Sequence, residues 1–187
     1  MKTLIITAHP SKFGFTQKIA EQYAKGKTEK GDTVEILDLY KQENKQDFFV
    51  FENIKEVMPD PTVDRMQKKI AENDELVFVF PMWWFAEPAI LKNFLDKNLT
   101  PHFAYQYENG KPVGLLKGKT AKVFITSDGP KLFHFLLAMP IWSVWGMTRL
   151  RFCGIKMESF QIFDKMIERK EESRKELLEK VYQEAKK

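Results

Sequence analysis

The sequence holds a single cysteine, Cys153, so no internal disulfide can form and a reducing, cytoplasmic setting is expected. No secretory pattern follows Met1–Lys2, which lead straight into a strand-like run. Uncharged runs are short. Leu132–Thr148 lacks Asp, Glu, Lys and Arg, but it falls below the ~20 residues of a spanning helix and contains Pro140 and Gly146. A transmembrane segment is therefore not expected. Charge of one sign is not gathered anywhere: the net +4 is spread along the chain, which argues against a nucleic-acid partner. Internal repeats, low-complexity tracts and linkers are missing as well, so 187 residues are expected to form one domain, 1–187. Also absent are the Walker loop and the GxGxxG dinucleotide fingerprint.

Aromatic residues are abundant, with 16 Phe, 5 Tyr and 4 Trp. Apolar runs and helical stripes alternate along the chain. Strands are expected at Thr3–Ala8, Thr33–Leu39, Glu75–Phe80, Ala121–Thr126 and Ile155–Phe163. Helices are expected at Thr16–Lys30, Val63–Asn73 and Pro88–Lys97, with Pro88 suited to a first turn, where its missing N–H is harmless. A long charged helix is expected from about Asp164, its modest apolar face made by Ile167, Leu178, Val181 and Tyr182. Lys41–Pro61 reads as an irregular excursion over the surface. The alternation predicts an α/β fold, a doubly wound sheet of five parallel strands in the order 2-1-3-4-5. Ligands in such sheets sit at the carboxyl ends of the strands.

Three segments should therefore be neighbours. His9-Pro10-Ser11-Lys12-Phe13-Gly14-Phe15-Thr16 follows the first strand, and its hydroxyls and amides suit a phosphate at a helix N-terminus; a simple N-cap by Thr16 is the alternative. Pro81-Met82-Trp83-Trp84-Phe85 follows the third strand, where polar residues are usual. Thr126-Ser127-Asp128-Gly129-Pro130 follows the fourth. A hydroxyl-rich loop, an aromatic loop and a short turn on one edge suit a flat apolar ring with a phosphate tail.

The run FPMWWFAEPAILKNFLD resembles the flavin-site segment of the flavodoxin-like NAD(P)H:quinone oxidoreductases. The opening TLIITAHP, the Phe103-Ala104-Tyr105-Gln106-Tyr107 element, the Thr126–Pro130 turn and Phe152-Cys153-Gly154 resemble further elements of that family, in order, from Met1 to about Phe163. The resemblance implies a flavodoxin-like three-layer fold and a flavin cofactor, FMN or FAD, with NADH or NADPH as co-substrate. It implies two-electron reduction of a quinone-like acceptor by a ping-pong mechanism, in a homodimer. It places His9, Ser11, Phe15 and Thr16 by the flavin phosphate and ribityl chain. Pro81, Met82, Trp83, Trp84 and Phe85 would flank the ring, with the amides of Trp84 and Phe85 near its N5/O4 edge. Thr126, Ser127, Asp128 and Gly129 would lie at its pyrimidine end. Tyr105 and Tyr107 would line the acceptor pocket from the other subunit, with Phe152 as a weaker candidate.

Asp128 departs from the family's usual glycine, and a carboxylate aimed at the ring would oppose negative charge there. His134 stands in place of a tyrosine at a comparable distance; it is a candidate for proton transfer or a histidine packed among Phe133, Phe135 and Leu136. Leu132–Thr148 reads as core or dimer interface, as a wall for a lipophilic quinone, or as peripheral membrane contact. A regulatory flavoprotein subunit of a potassium-efflux-type transporter and a flavodoxin-like electron carrier are the rival functions. Such carriers are usually acidic, whereas this chain is basic.

Overall fold

The computed structural model describes residues 1–53, 60–130, 132 and 139–187. Among them run β1 (Lys2–Thr7), α1 (Phe15–Glu29), β2 (Thr33–Asp38), α2 (Pro61–Glu72), β3 (Glu75–Pro81) and α3 (Ala89–Asn98). The hairpin strands β4 (Tyr105–Glu108) and β5 (Lys111–Gly114) follow, then β6 (Thr120–Thr126), α4 (Met139–Ser143) continuing as a π-helix over Val144–Leu150, β7 (Lys156–Phe163) and α5 (Glu171–Ala185). The main sheet has five parallel strands in the order β2-β1-β3-β6-β7. That is the 2-1-3-4-5 order expected from periodicity, with the antiparallel β4–β5 pair inserted outside the sheet.

Strand alternation divides the core into two layers. Leu4, Ile6, Leu76, Phe78 and Phe80 face one side, against Met66 and Ile70 of α2, Leu91 and Phe94 of α3, and Ile141 and Trp145. Ile5, Val77, Val79 and Phe124 face the other, against Ile19, Ala20 and Tyr23 of α1 and Val181 and Ala185 of α5. Helices thus cover both faces, which explains why β3 is buried along its whole length. No helix among the described residues is long and apolar enough to cross a membrane.

Several expectations need correction. The terminal helix begins at Glu171, not near Asp164, so Ile167 precedes it and is exposed rather than on its buried face. Pro88 is the N-cap of α3 instead of a first-turn residue. The apolar stretch before the last strand divides: Ile141 and Trp145 enter the core while Trp142 and Met147 are exposed. The Phe152-Cys153-Gly154 element marks a close backbone crossing. Gly154 has φ +87°, and a Cβ on Gly114 would fall 2.2 Å from the Gly154 nitrogen.

The excursion after β2 is stitched to α3. Asn93 donates to Gln46 O at 2.7 Å, the side chains of Gln46 and Asn98 bond each other, and Lys97 Nζ donates to Asp47 O at 3.0 Å. Buried Lys97 also donates to Asp60 at 2.8 Å, while Asp60 caps α2 by accepting from the Thr62 N–H at 2.9 Å. The Lys97 bond, foremost among its surroundings, holds the Asp60 carboxyl below its ordinary range. A carboxyl whose pKa is lowered on folding contributes stability above its unfolded pKa and loses it as pH falls through the folded one. Asp60→Ala should therefore cost about 2 kcal/mol at neutral pH, for the lost cap and the orphaned ammonium. In urea melts that deficit should shrink as pH falls below the ordinary carboxylate range and through the lowered pKa of the folded Asp60. A deficit constant with pH would count against the ion pair.

Candidate functional site

The loops after β1, β3 and β6 meet at the carboxyl edge of the sheet, as expected. One cleft takes His9, Phe15 and Thr16 from the first loop and Pro81, Met82 and Trp83 from the second. Thr126, Ser127 and Asp128 come from the third. Two links lock these loops together: Thr16 Oγ1 lies 3.3 Å from Thr126 Oγ1, and the Met82 N–H donates to Thr126 O at 2.8 Å.

Thr16 does not cap α1. Gly14 takes that position without a side-chain cap, and no acidic residue stands in the first turn. The amides of Phe15 and Thr16 have no hydrogen-bond partner among the described residues, which leaves the positive end of the helix open to an anion. His9 organises the loop: its Nδ1 accepts from the Ser11 N–H at 3.0 Å. A Cβ on Gly14 would press on the imidazole at 3.1 Å, so the loop closes around it. Ser11 is exposed and accepts weakly from the Phe13 N–H, at 3.4 Å, so it lies outside the cleft lining.

The turn after β6 is tied to the connection that follows β7. The Ser127 N–H donates to Phe163 O at 2.8 Å and the Met166 N–H to Ser127 O at 3.2 Å. Asp128 Oδ1 accepts from the Ile167 N–H at 2.8 Å, so this carboxylate anchors the connection. Gly129 bonds back to Ser127 Oγ at 3.2 Å and does not line the cleft. The connection adds three lining residues that sequence reasoning missed, Met166, Ile167 and Arg174. Arg174 Nη2 donates to Met166 O at 2.6 Å, while its buried Nε has no hydrogen-bond partner among the described residues. Nothing in the charged terminal segment marks Arg174 out from its neighbours.

Trp83 and Ala86 exchange backbone hydrogen bonds at 2.9 and 3.0 Å, and the two residues between them, Trp84 and Phe85, have φ of 50° and 57°. This left-handed pair is the geometry of a type I′ turn, which favours Asn and Gly; bulky residues there cost roughly 1–3 kcal/mol each. Trp84 is 98% exposed and Trp83 and Phe85 about half so. The amides of Trp84 and Phe85 carry no partner among the described residues. The protein thus holds a strained turn that points aromatic rings and free N–H groups outward beside the cleft. Phe85 itself faces a neighbouring depression with Glu87 and Arg149 rather than the cleft.

Tyr105 and Tyr107 sit elsewhere. Tyr105 packs edge-on against Phe152 at 4.8 Å in a separate cavity of about 400 Å3, with Phe49, Arg149 and Cys153. Tyr107 is mostly exposed. Within one chain neither tyrosine joins the cleft. Burial pushes the Cys153 thiol up to about 11, so it stays protonated and is no nucleophile. His134 lies outside the described residues.

Comparison with known proteins agrees with this architecture. The sequence profile of the Flavodoxin_2 family, described as a flavodoxin-like fold, matches residues 1–185. A Haemophilus influenzae protein named "Uncharacterized NAD(P)H oxidoreductase" is 32% identical over 185 residues, covering 96% of this chain and 91% of its own. A Coprothermobacter proteolyticus protein named "FMN-dependent NADH:quinone oxidoreductase" is 28% identical over 166 residues, covering 83% of this chain and 82% of its own. The crystal structure of Smu.1420 from Streptococcus mutans UA159 superposes with a TM-score of 0.87 at 27% identity, over 100% of this chain and 99% of that one.

Proposed function

We propose, since this chain belongs to the Flavodoxin_2 family, that it is a flavin-dependent NAD(P)H oxidoreductase reducing quinones or similar acceptors by two electrons. The observation that carries the reading is the meeting of an uncapped, acid-free helix N-terminus with a strained aromatic turn bearing two free amides. The residues suit a flavin nucleotide. The Phe15 and Thr16 amides, the Thr16 hydroxyl and the unpartnered Nε of Arg174 are donors for a phosphate group. Trp83 and Met82 supply apolar surface for a ring, and the Trp84 and Phe85 amides supply donors for ring heteroatoms. FMN is the form we favour, because a relative aligned over most of the chain is named for it. The bound flavin would supply hydride transfer, which no protein side chain provides.

The chain's own part is to bind, to orient and to exclude water. Asp128 is engaged by the Ile167 amide, which draws its charge toward the connection after β7. NADH or NADPH and the acceptor would occupy one site in succession, giving ping-pong kinetics. The acceptor side would be completed by Tyr105 and Tyr107 from a second copy in a homodimer. The exposed aromatics Phe48, Trp84, Tyr107 and Trp142 support such a pairing.

Addition of FMN to the purified protein should produce a protein-bound yellow spectrum. Anaerobic NADH or NADPH should bleach it, and a small quinone should restore it. A protein that rejects both FMN and FAD would overturn the reading; bleaching without turnover of any quinone would point to a carrier or a transporter-regulating subunit. Sedimentation at micromolar concentration should give a dimer. A monomer that keeps full quinone reduction would remove Tyr105 and Tyr107 from the acceptor site.

A further inference from the structure

Trp84 and Phe85 would relax to an extended or right-handed conformation if the flanks of their turn were free. The inner flank is held by the sheet, through Phe80 and Pro81 of β3 and the Met82 N–H on Thr126 O. The outer flank has no strand to hold it. Glu87, directly after Ala86, carries a side chain only 5% exposed and forms an ion pair at 2.7 Å with Arg149 in the π-helical segment. The Arg149 guanidinium lies 5.1 Å over the ring of Trp145. Trp145 in turn stacks on Phe80, with centroids 5.2 Å apart and planes at 22°. One segment, 145–149, therefore grips the aromatic loop at both ends.

We propose that the Glu87–Arg149 ion pair, seated on Trp145, is the clamp that keeps Trp84 and Phe85 left-handed, which makes Arg149 a positioning residue for the flavin site. The functional half of this inference rests on the flavin reading; the structural half does not. The mechanism is mechanical. The Glu87 side chain is buried beside a depression lined by Ala86, Pro140, Ile141 and Val144, with Lys92 as the other charged lining residue besides Arg149, so an unpaired Glu87 would turn toward water. Ala86 would move with it, and Ala86 is the residue whose paired bonds to Trp83 close the turn. Arg149 is equally dependent on the pair: Nη2 makes the contact with Glu87, while the buried Nη1 has no hydrogen-bond partner among the described residues.

The test uses Arg149→Met and the near-isosteric Glu87→Gln, which keeps the fold should the first variant fail to express. In the flavin-free protein, chymotrypsin should cleave at Trp83–Phe85 at least fivefold faster in both variants, with other sites unchanged. FMN should bind at least tenfold more weakly. Arg149→Lys should recover part of both effects, because its ammonium still reaches one carboxylate oxygen. Glycine needs no holding in the left-handed region, so adding Trp84→Gly to Arg149→Met should restore FMN affinity at least threefold, whereas in the wild-type background it should not improve it. Unchanged cleavage and unchanged FMN affinity would overturn the clamp, as would cleavage accelerated equally at every site. If the wild type binds neither FMN nor FAD while Arg149→Met still speeds cleavage at the turn, the clamp stands and the flavin reading falls.

Discussion

Arg174→Ala should weaken FMN binding roughly 10- to 100-fold, the loss of one or two charge-assisted hydrogen bonds, and should leave riboflavin binding almost unchanged. Arg174 lines the same cleft as Thr16 and Thr126, and one of its nitrogens is spent on the Met166 carbonyl. Its Nε is buried with no hydrogen-bond partner among the described residues. A buried unpaired donor is unfavourable and uncommon in native proteins. An anion arriving at the uncapped start of α1 would satisfy it. Riboflavin has the ring but no phosphate, so it separates two roles for this residue. If Arg174 only held the connection after β7 in place, both ligands should weaken together, and that result in a fluorescence titration would remove it from the phosphate site. Arg174→Lys should fall between, since an ammonium keeps the charge and loses the Nε donor.

The fold was legible because buried parallel strands write themselves as continuous apolar runs. Glu75–Phe80 and Ala121–Thr126 are buried on both faces, and the runs end within a residue of the strands Glu75–Pro81 and Thr120–Thr126. The hairpin of Tyr105–Glu108 with Lys111–Gly114 leaves no such run, because its burial is partial and its pairing lies outside the main sheet. The start of the terminal helix is hidden in the sequence for a different reason. Asp164–Lys170 carries the same charged composition as the helix itself, and what stops it from being helical is tertiary: Met166 and Ile167 bond back to Ser127 and Asp128.

The same division applies to the site. His9, Thr16, Trp83 and Thr126 were readable, since strand ends in this sheet must converge on one edge. Arg174 and Ile167 were not, because their place depends on how a later connection folds over that edge. Phe49 was invisible likewise: it reaches the Tyr105 cavity only because Asn93, Lys97 and Asn98 pin the irregular segment to α3. The strain of Trp84–Phe85 could not be read from an aromatic-rich sequence either. Composition suggested a wall for a ring, and only the backbone dihedrals reveal that the wall is held under tension.

Glu75→Leu should lower stability by about 3–5 kcal/mol, the cost of breaking a buried ion pair from one side, and should not alter FMN affinity. Glu75 opens β3 at the end of the sheet opposite the cleft and is 1% exposed. It accepts from Thr3 Oγ1 at 3.0 Å and from the Tyr23 hydroxyl at 2.9 Å, and it pairs with Lys27 at 3.1 Å and Lys122 at 3.9 Å. Burial, and then the neighbouring Glu75 carboxylate, push the Tyr23 hydroxyl above its usual range, so it remains a donor at any working pH. Replacing Glu75 with Leu leaves two buried ammonium groups facing an apolar side chain, with Asp32 and Glu184 only partly answering them at 3.3 Å each. At about 2–4 °C per kcal/mol for a chain of this size, the melting temperature should fall by roughly 6–20 °C. Replacing the whole group, as Glu75→Leu with Lys27→Met and Lys122→Met, should recover most of that loss, because an apolar cluster of similar volume has no charge to desolvate. A single variant as stable as wild type would show the network contributes nothing. A triple variant no better than the single would show that Glu75 matters through its hydrogen bonds to Thr3 and Tyr23, not through its charge.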